Sequence, residues 1–258
     1  IPTDFSFQSL LWVSDSALIS QVYRQDRGIT EFNALKLSSA SGEFKIDIDR
    51  TNRVDGYIVD PLISEPEKVI FAHYKYNDDG SVYSNIYKID MFTSVKEQFS
   101  RRNQLNRENR SIAQWILDKD GYPVLGAGWE GMQAVLWSRS TGNKKFKRIW
   151  RGESGSKFIP QRLSDDRKTL WALSNHGHNT VVAIEFDIPT ASISRILYEN
   201  PVADLQGLKF NLSTDTPVSA IYLESGKVKY QHLDTELGAS MDNFHSLFPG
   251  KEVVVLDQ

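Results

Sequence analysis

The most informative absence in this sequence is cysteine, because none occurs in 258 residues. Disulfide bonds, thiolate metal sites and cysteine nucleophiles are therefore excluded. Long apolar runs are also missing, since none approaches the roughly 18 residues that a membrane-spanning helix needs. Neither sign of charge dominates, because 30 basic residues stand against 33 acidic ones for a net charge of −3. This balance argues against binding to nucleic acid or to a membrane surface.

The two ends of the chain carry no targeting signal. The sequence opens on IPTDFSF, without an initiator Met, a signal peptide or a transit segment. It closes on EVVVLDQ, an apolar run typical of a strand that is cut short. These ends predict a fragment of a longer protein that is soluble and either cytoplasmic or periplasmic. A hydrophobic content of 40% suffices for one large domain or two small ones.

An internal repeat organises the chain. An aromatic or apolar residue, a polar turn and a short apolar run recur roughly every 50 residues. The equivalent positions are Trp12, Val59, Trp115, Leu163 and Phe210. Each unit continues with further short apolar runs, so that it contains about four strands. This period and strand number are typical of a β-propeller blade. We therefore predict an all-β fold, a β-propeller or part of a larger one, with about five recognisable four-stranded blades.

The repeat predicts a single propeller domain or fragment over residues 1–258. The predicted blades cover residues 5–50, 54–100, 111–151, 158–199 and 204–248, and a further blade starts at 251–258.

Two blades depart from the regular pattern. In the second, the stretch Val95–Ser100 is the predicted fourth strand, and the polar insertion Ser100–Ser111 follows it. The fifth blade lacks a clear fourth strand. Its last part predicts a short helix instead, because apolar residues recur near helical spacing at Leu237, Met241, Phe244 and Leu247.

Four stretches carry a resemblance to a known family. They are Asn85–Asp90, Trp115–Pro123, Phe158–Asn175 and the pattern from Asn200 to Asp234. Together they resemble the propeller of the prolyl oligopeptidase family of serine peptidases, in particular its acylaminoacyl-peptidase-like and dipeptidyl-aminopeptidase-like members. In that family a β-propeller precedes an α/β-hydrolase domain. The resemblance implies a propeller that caps a peptidase active site, admits peptides and keeps folded proteins out.

The resemblance also implies two partners, namely peptide substrates and an α/β-hydrolase domain of the same protein. The sequence departs from the family because it has fewer blades and no hydrolase domain. A nucleophile elbow requires Gly-x-Ser-x-Gly, and the nearest stretch, Gly152–Ser156, ends in Ser. We therefore assign no catalytic residue, no cofactor site and no metal site. The chain alone is predicted to be inactive, and the parent protein is expected to be a serine peptidase.

Two other functions stay open at this point. The main alternative is a stand-alone propeller that acts as a protein-interaction scaffold or a periplasmic binding scaffold. A propeller glycosidase is less favoured, because it needs carboxylates that converge from different blades. The adjacent pairs Asp78/Asp79 and Asp165/Asp166 favour turns instead.

Three further motifs have a structural and a functional interpretation. The stretch Gly126–Gly131 matches the dinucleotide-binding pattern Gly-x-Gly-x-x-Gly, but a strand pattern follows it where a helix is required, so it predicts a hairpin. Four arginines of the insertion could bind a carboxylate or the missing domain, although a solvated loop is favoured. Four tryptophans could stack on a ligand, although core packing is favoured. These residues are Arg101, Arg102, Arg107 and Arg110, and Trp115, Trp137, Trp150 and Trp171.

The His-x-His pair formed by His176 and His178 raises the question of a metal site. It lies between two predicted strands of the fourth blade, where other blades have a turn containing glycine. Gly177 is therefore expected to occupy a turn position with φ above zero. A metal would need more ligands, and the remaining histidines, His73, His232 and His245, lie in other blades. We predict a turn on one rim of the propeller.

Overall fold

The computed structural model describes most of the chain. The described ranges are residues 5–40, 43–62, 65–78, 80, 82–106, 111–140, 145–211 and 213–248. Their strands form five antiparallel sheets, three with four strands and two with three strands. The all-β prediction is confirmed, and the sheets are the blades of a five-bladed β-propeller. No helix in these ranges is long and apolar enough to cross a membrane.

The first two sheets are formed by consecutive strands. The first contains β1 (Phe5–Ser14), β2 (Ala17–Arg24), β3 (Ile29–Ala40) and β4 (Glu43–Arg53), and the second contains β5 (Gly56–Asp60), β6 (Lys68–Tyr76) and β7 (Val82–Asp90). In both sheets the strands lie side by side in chain order. The short helix α1 (Val95–Gln98) follows the second sheet.

The other three sheets follow the same meander. The third contains β8 (Ile112–Leu117), β9 (Pro123–Glu130), β10 (Gln133–Ser138) and β11 (Lys147–Ser154), and the fourth contains β12 (Phe158–Leu163), β13 (Thr169–Ser174), β14 (Val182–Asp187) and β15 (Ser192–Tyr198). The fifth contains only β16 (Leu205–Phe210), β17 (Pro217–Glu224) and β18 (Lys227–His232), and it precedes helix α2 (Thr235–Leu247).

The chain divides into two compact units. Unit 1 comprises Ile1–Gly126 and Arg139–Phe146, and unit 2 comprises Ala127–Ser138 and Lys147–Gln258. The core of unit 1 lies between the first two sheets, where Phe32 and Phe71 meet edge to face with 5.1 Å between ring centroids. The core of unit 2 lies between the fourth and fifth sheets, with Trp171, Leu173 and Ala220 among its members.

The inner strands of several blades are buried on both faces. Strands β6 and β13 have runs of four and five consecutive buried residues, which a strand with one solvated face would not show. This burial explains why their sequences are nearly continuous apolar runs. Outer strands such as β15 have exposed residues throughout, which fits a position at the rim.

The fourth strand predicted at Val95–Ser100 is wrong. The structure has helix α1 there, because Ser94 and Glu97 have the spacing of a helix cap and the Ser94 side chain accepts a hydrogen bond from the Glu97 N–H. The edge of β7 is covered instead by the insertion. The N–H of Lys88 donates to the Asn103 carbonyl at 3.0 Å, and the N–H of Leu105 donates to the Ile86 carbonyl at 2.8 Å.

The solvated-loop interpretation of the insertion is therefore wrong for residues 103–106. Arg101 and Arg102 are exposed, as that interpretation expects, whereas Arg107 and Arg110 lie outside the described residues. In the fifth blade the absence of a fourth strand from the described residues and the predicted helix are both confirmed. The further blade predicted at 251–258 lies outside the described residues.

Candidate functional site

The structure brings four polar segments of unit 2 together on one side of the third and fourth blades. We call them the turn face, and they comprise residues 131–132, 155–157, 175–181 and 199–204. The first two segments are joined by the Gly155 N–H, which donates to the Met132 carbonyl at 2.9 Å. The second and third are joined by the Lys157 N–H, which donates to Asn175 Oδ1 at 2.6 Å.

The last two segments of the turn face are joined just as closely. Thr180 Oγ1 donates to the Asn200 carbonyl at 2.8 Å, and the Val181 N–H donates to Asp204 Oδ1 at 2.8 Å. Asn200 Oδ1 also accepts from two N–H groups of its own loop. These bonds fix loops that would otherwise be free to move, so the turn face is a preformed surface.

The His-x-His stretch lies on the turn face. His176, Gly177 and His178 form the turn between β13 and β14, and Gly177 has a φ of 77°. The turn prediction is confirmed. His176 packs edge to face on Trp150 with 5.4 Å between ring centroids, and His178 Nδ1 lies 3.1 Å from Glu199 Oε2. Within the described ranges no three His, Cys, Asp or Glu side chains converge as metal ligands would.

The turn face combines ion pairs with exposed apolar side chains. Lys157 Nζ lies 3.6 Å from Asp204 Oδ2, and His178 pairs with Glu199. Met132 is 72% exposed and Val202 is 81% exposed. Exposed apolar groups surrounded by paired charges are typical of surfaces that bind another protein. The sequence did not single out Glu199, Asn200 or Asp204, since their roles depend on contacts between successive blades.

The candidate catalytic stretches have structural roles. Asp166 Oδ1 accepts from Ser164 Oγ at 2.7 Å and from the Lys168 N–H at 3.0 Å, so the turn prediction for Asp165 and Asp166 is confirmed. These bonds to Ser164 and Lys168 lower the pKa of Asp166. Asp78 also lies in a turn, and Asp79 lies outside the described residues. Ser156 is buried and its hydroxyl donates to the Glu153 carbonyl at 2.7 Å.

The glycine-rich stretch Gly126–Gly131 forms the predicted hairpin. It runs from β9 into a turn where Gly131 has a φ of 61°, and β10 follows. No helix N-terminus follows the glycines, so a pyrophosphate would have no row of free N–H groups to bind. The dinucleotide interpretation is therefore excluded for this stretch.

The tryptophans are mostly core residues, as predicted. Trp115, Trp137 and Trp171 are buried. Trp115 Nε1 donates to Ser84 Oγ at 2.7 Å within unit 1. Trp150 is half-buried and contacts Phe158, with 4.9 Å between ring centroids, as well as His176. Trp171 is also the one of these four that lines a cavity described below.

A cavity of moderate size lies in each unit. The cavity of unit 1, about 380 Å³, is lined by charges of both signs, and that of unit 2, about 260 Å³, is lined by an ion pair and apolar side chains. The linings include Lys68, Lys88, Asp90, Glu97 and Arg102 in unit 1, and Trp171, Glu185, Arg195, Ile196 and Leu233 in unit 2. Each cavity therefore offers charged side chains to a polar ligand.

Solved propellers share this fold at low sequence identity. One of two prolyl endopeptidases described for inter-domain dynamics matches with a TM-score of 0.59 and 13% identity over 88% of this chain and 33% of that chain. Apo prolyl oligopeptidase B from Galerina marginata matches with a TM-score of 0.54, 13% identity and the same two coverages. TolB from Acinetobacter baumannii matches with a TM-score of 0.53 and 14% identity over 89% of this chain and 52% of that chain.

These likenesses concern the fold. The resemblance to prolyl oligopeptidase propellers is confirmed at that level. The chain spans about a third of the prolyl endopeptidase that it matches. It spans about half of TolB, a propeller of another functional class. No protein-family model matches the chain, and no curated protein matches it either.

Proposed function

We propose that this chain is the non-catalytic, substrate-gating propeller of a serine peptidase of the prolyl oligopeptidase type. The observation that carries the proposal is the match of 88% of this chain to only 33% of a prolyl endopeptidase. That proportion is expected if the chain corresponds to one domain of such an enzyme. We place the chemistry in another domain of that enzyme, because the sequence contains no nucleophile elbow. In this reading the propeller restricts the entry of substrates to peptides.

The turn face is the surface through which we propose that the propeller contacts the hydrolase domain. Its loops are held by hydrogen bonds between successive segments, so little conformational entropy is lost when a partner binds. Met132 and Val202 supply exposed apolar area, and the ion pair Lys157–Asp204 supplies charges that orient a partner. Contacts of this mixed kind are usual between domains that move relative to each other.

The test uses the gene product as the cell makes it together with the purified 258-residue chain. A fluorophosphonate probe is expected to label a serine in the native gene product and none in the purified chain. The purified chain is also expected not to cleave aminoacyl or acylaminoacyl reporter substrates. Labelling of a serine within residues 1–258, or cleavage by the purified chain, would refute the proposal.

A stand-alone binding scaffold is the second candidate function. The observation in its favour is the TolB match, which covers 89% of this chain and a larger share of the other protein than the peptidase matches do. A scaffold predicts that no fluorophosphonate labelling occurs in either sample. It also predicts a stable complex between the native protein and a partner that lacks peptidase activity, which co-purification would detect.

A further inference from the structure

Strand β18 forms an open edge of the fifth sheet. It pairs with β17 on one side, and no described strand pairs with its other side. The Leu233 N–H still bonds to the β17 side, since it donates to the Val218 carbonyl at 2.8 Å, and the chain then leaves the sheet as α2 begins at Thr235. Most β18 side chains are exposed. The chain therefore supplies no fourth strand within the residues that the structure describes.

Most of the other outer edges are covered or irregular, and β18 is neither. In the second sheet, which also has three strands, residues 103–105 bond to the backbone of β7. In the four-stranded sheets the outermost pairs β10–β11 and β14–β15 contain register shifts, and the β3–β4 pair contains one between Ala34 and Leu35, beyond which six residue pairs lie in regular register. Such irregularities twist an edge away from further pairing. The β17–β18 pair has no register shift over six residue pairs, so its edge is regular enough to accept another strand.

The turn before β18 defines which backbone groups face outward. Ser225 and Gly226 have φ values of 51° and 76°, which is the type I′ geometry of a two-residue hairpin. The closing pair Glu224–Lys227 is then a hydrogen-bonded pair, and the pattern alternates along the strand. The N–H and C=O groups of Val228 and Tyr230 consequently point away from β17. They are the groups that an added strand would bond.

The side chains of β18 sort by face. Val228 and Tyr230 share one face with Leu223, which lies directly opposite Val228, and Leu223 and Val228 are 49% and 42% exposed. Lys227 and Lys229 lie exposed on the other face, and neither makes an ion pair with a described residue. A strand beside β18 would thus meet apolar groups on one face, where Lys209 Nζ lies 5.0 Å from the centroid of the Tyr230 ring, and two cations on the other.

We propose that β18 is a docking edge for an extended segment of a partner protein in which acidic and apolar side chains alternate. Main-chain hydrogen bonds to Val228 and Tyr230 hold the segment, as in other cases of strand addition. Its apolar side chains pack beside Val228 and Tyr230, and its carboxylates lie opposite Lys227 and Lys229, where opposite charges stabilise cross-strand neighbours.

A second copy of this chain is a poorer occupant of the edge. If two β18 strands paired edge to edge, the lysines of one copy would lie beside those of the other on the same face. Lysines on an exposed edge are a common device against such self-pairing. The same charges favour a segment that bears carboxylates.

The test measures binding of three fluorescent, acetylated and amidated peptides to the purified chain by fluorescence polarisation. The first has the sequence Thr-Val-Glu-Val-Glu-Val-Glu-Thr, the second has Lys in place of every Glu, and the third has N-methylated valines that cannot bond a strand. Only the first is expected to bind, with an affinity that falls as salt screens the charges. Exchange of the Val228 and Tyr230 N–H groups should slow when it binds.

Two variants tie that binding to the edge. Val228→Pro removes the outward N–H but no bond to β17, and a proline at such a position is tolerated in an edge strand. This variant should bind the first peptide about tenfold more weakly than the control Val228→Thr. The double change Lys227→Glu and Lys229→Glu leaves the backbone intact and should make the lysine peptide the preferred ligand. The proposal is overturned if no peptide binds at about 1 mM, if the first two bind equally, or if the chain forms a dimer that Val228→Pro abolishes.

Discussion

The stability of this protein should depend on pH through one partly buried histidine, His73. His73 lies on β6 in unit 1, and its ring stacks on Phe99 with 4.5 Å between centroids. Its Nδ1 atom is buried and has no hydrogen-bond partner among the described residues. Burial and, to a smaller extent, the positive charge of Lys75 lower the pKa of His73 from 6.5 to about 4, while the negative charge of Asp55 opposes the shift.

The magnitude follows from the two pKa values. Between pH 6.5 and about 4 the unfolded chain binds a proton at this position and the folded chain does not. The stability that the folded state gains from neutral His73 is therefore fully present above pH 6.5, and it is lost as the pH falls toward 4. A difference of one pKa unit corresponds to about 1.4 kcal/mol, so the upper bound is about 3.4 kcal/mol. Because His73 is only partly buried, screening by water reduces the expected value to about 2 kcal/mol.

The assay compares urea unfolding of the wild type and His73→Phe, followed by tryptophan fluorescence between pH 8 and pH 4. Phe keeps an aromatic ring beside Phe99 but cannot titrate, so the difference in the free energy of unfolding isolates His73. The wild type should lose about 2 kcal/mol more than the variant over this range. Lys75→Gln should reduce that loss. A difference that stays constant with pH, or that grows in favour of the wild type in acid, would refute the reasoning.

Three substitutions test the packing and the turns by changes in the free energy of unfolding. Gly56→Ala should cost more than about 3 kcal/mol, because a Cβ atom there would lie 2.1 Å from the Ala72 carbonyl oxygen. Gly177→Ala is its matched control and should cost only about 1 kcal/mol, since its φ of 77° is strained for Ala but nothing lies within 4 Å. Ser84→Ala should cost about 1–3 kcal/mol, because the buried Trp115 indole N–H loses its acceptor. Equal losses of stability for the two glycine variants, or no loss for Ser84→Ala, would contradict these assignments.

The repeat made most of the fold predictable. Hairpin turns, apolar inner strands and exposed outer strands each leave a local signal, and Gly131, Gly177 and Gly226 all occupy turn positions with positive φ. The fourth strand of the second blade was mispredicted because Val95–Ser100 contains apolar residues at strand spacing. The spacing of Ser94 and Glu97, which caps a helix, was the better local signal.

The candidate sites were less predictable because they depend on contacts between distant segments. The sequence singled out His176 and His178 but not Glu199 or Asp204, since nothing local shows that these carboxylates bond to the β13–β14 turn. Similarly, the role of residues 103–106 in covering β7 could not be read from a polar insertion. The missing fourth strand of the fifth blade was visible in the sequence, whereas the regularity of its open edge required the register.

The substrate-gating function can be tested most directly by the size selectivity of the native protein. The same cleavable sequence is presented as a short peptide and within an exposed loop of a folded protein, and hydrolysis of both is followed by mass spectrometry. The proposed function predicts cleavage of the short peptide and no cleavage of the folded protein. Fragments of that protein that have the length of the short peptide should be cleaved. Cleavage of both at similar rates would contradict gating by the propeller, and cleavage of neither would contradict the peptidase assignment.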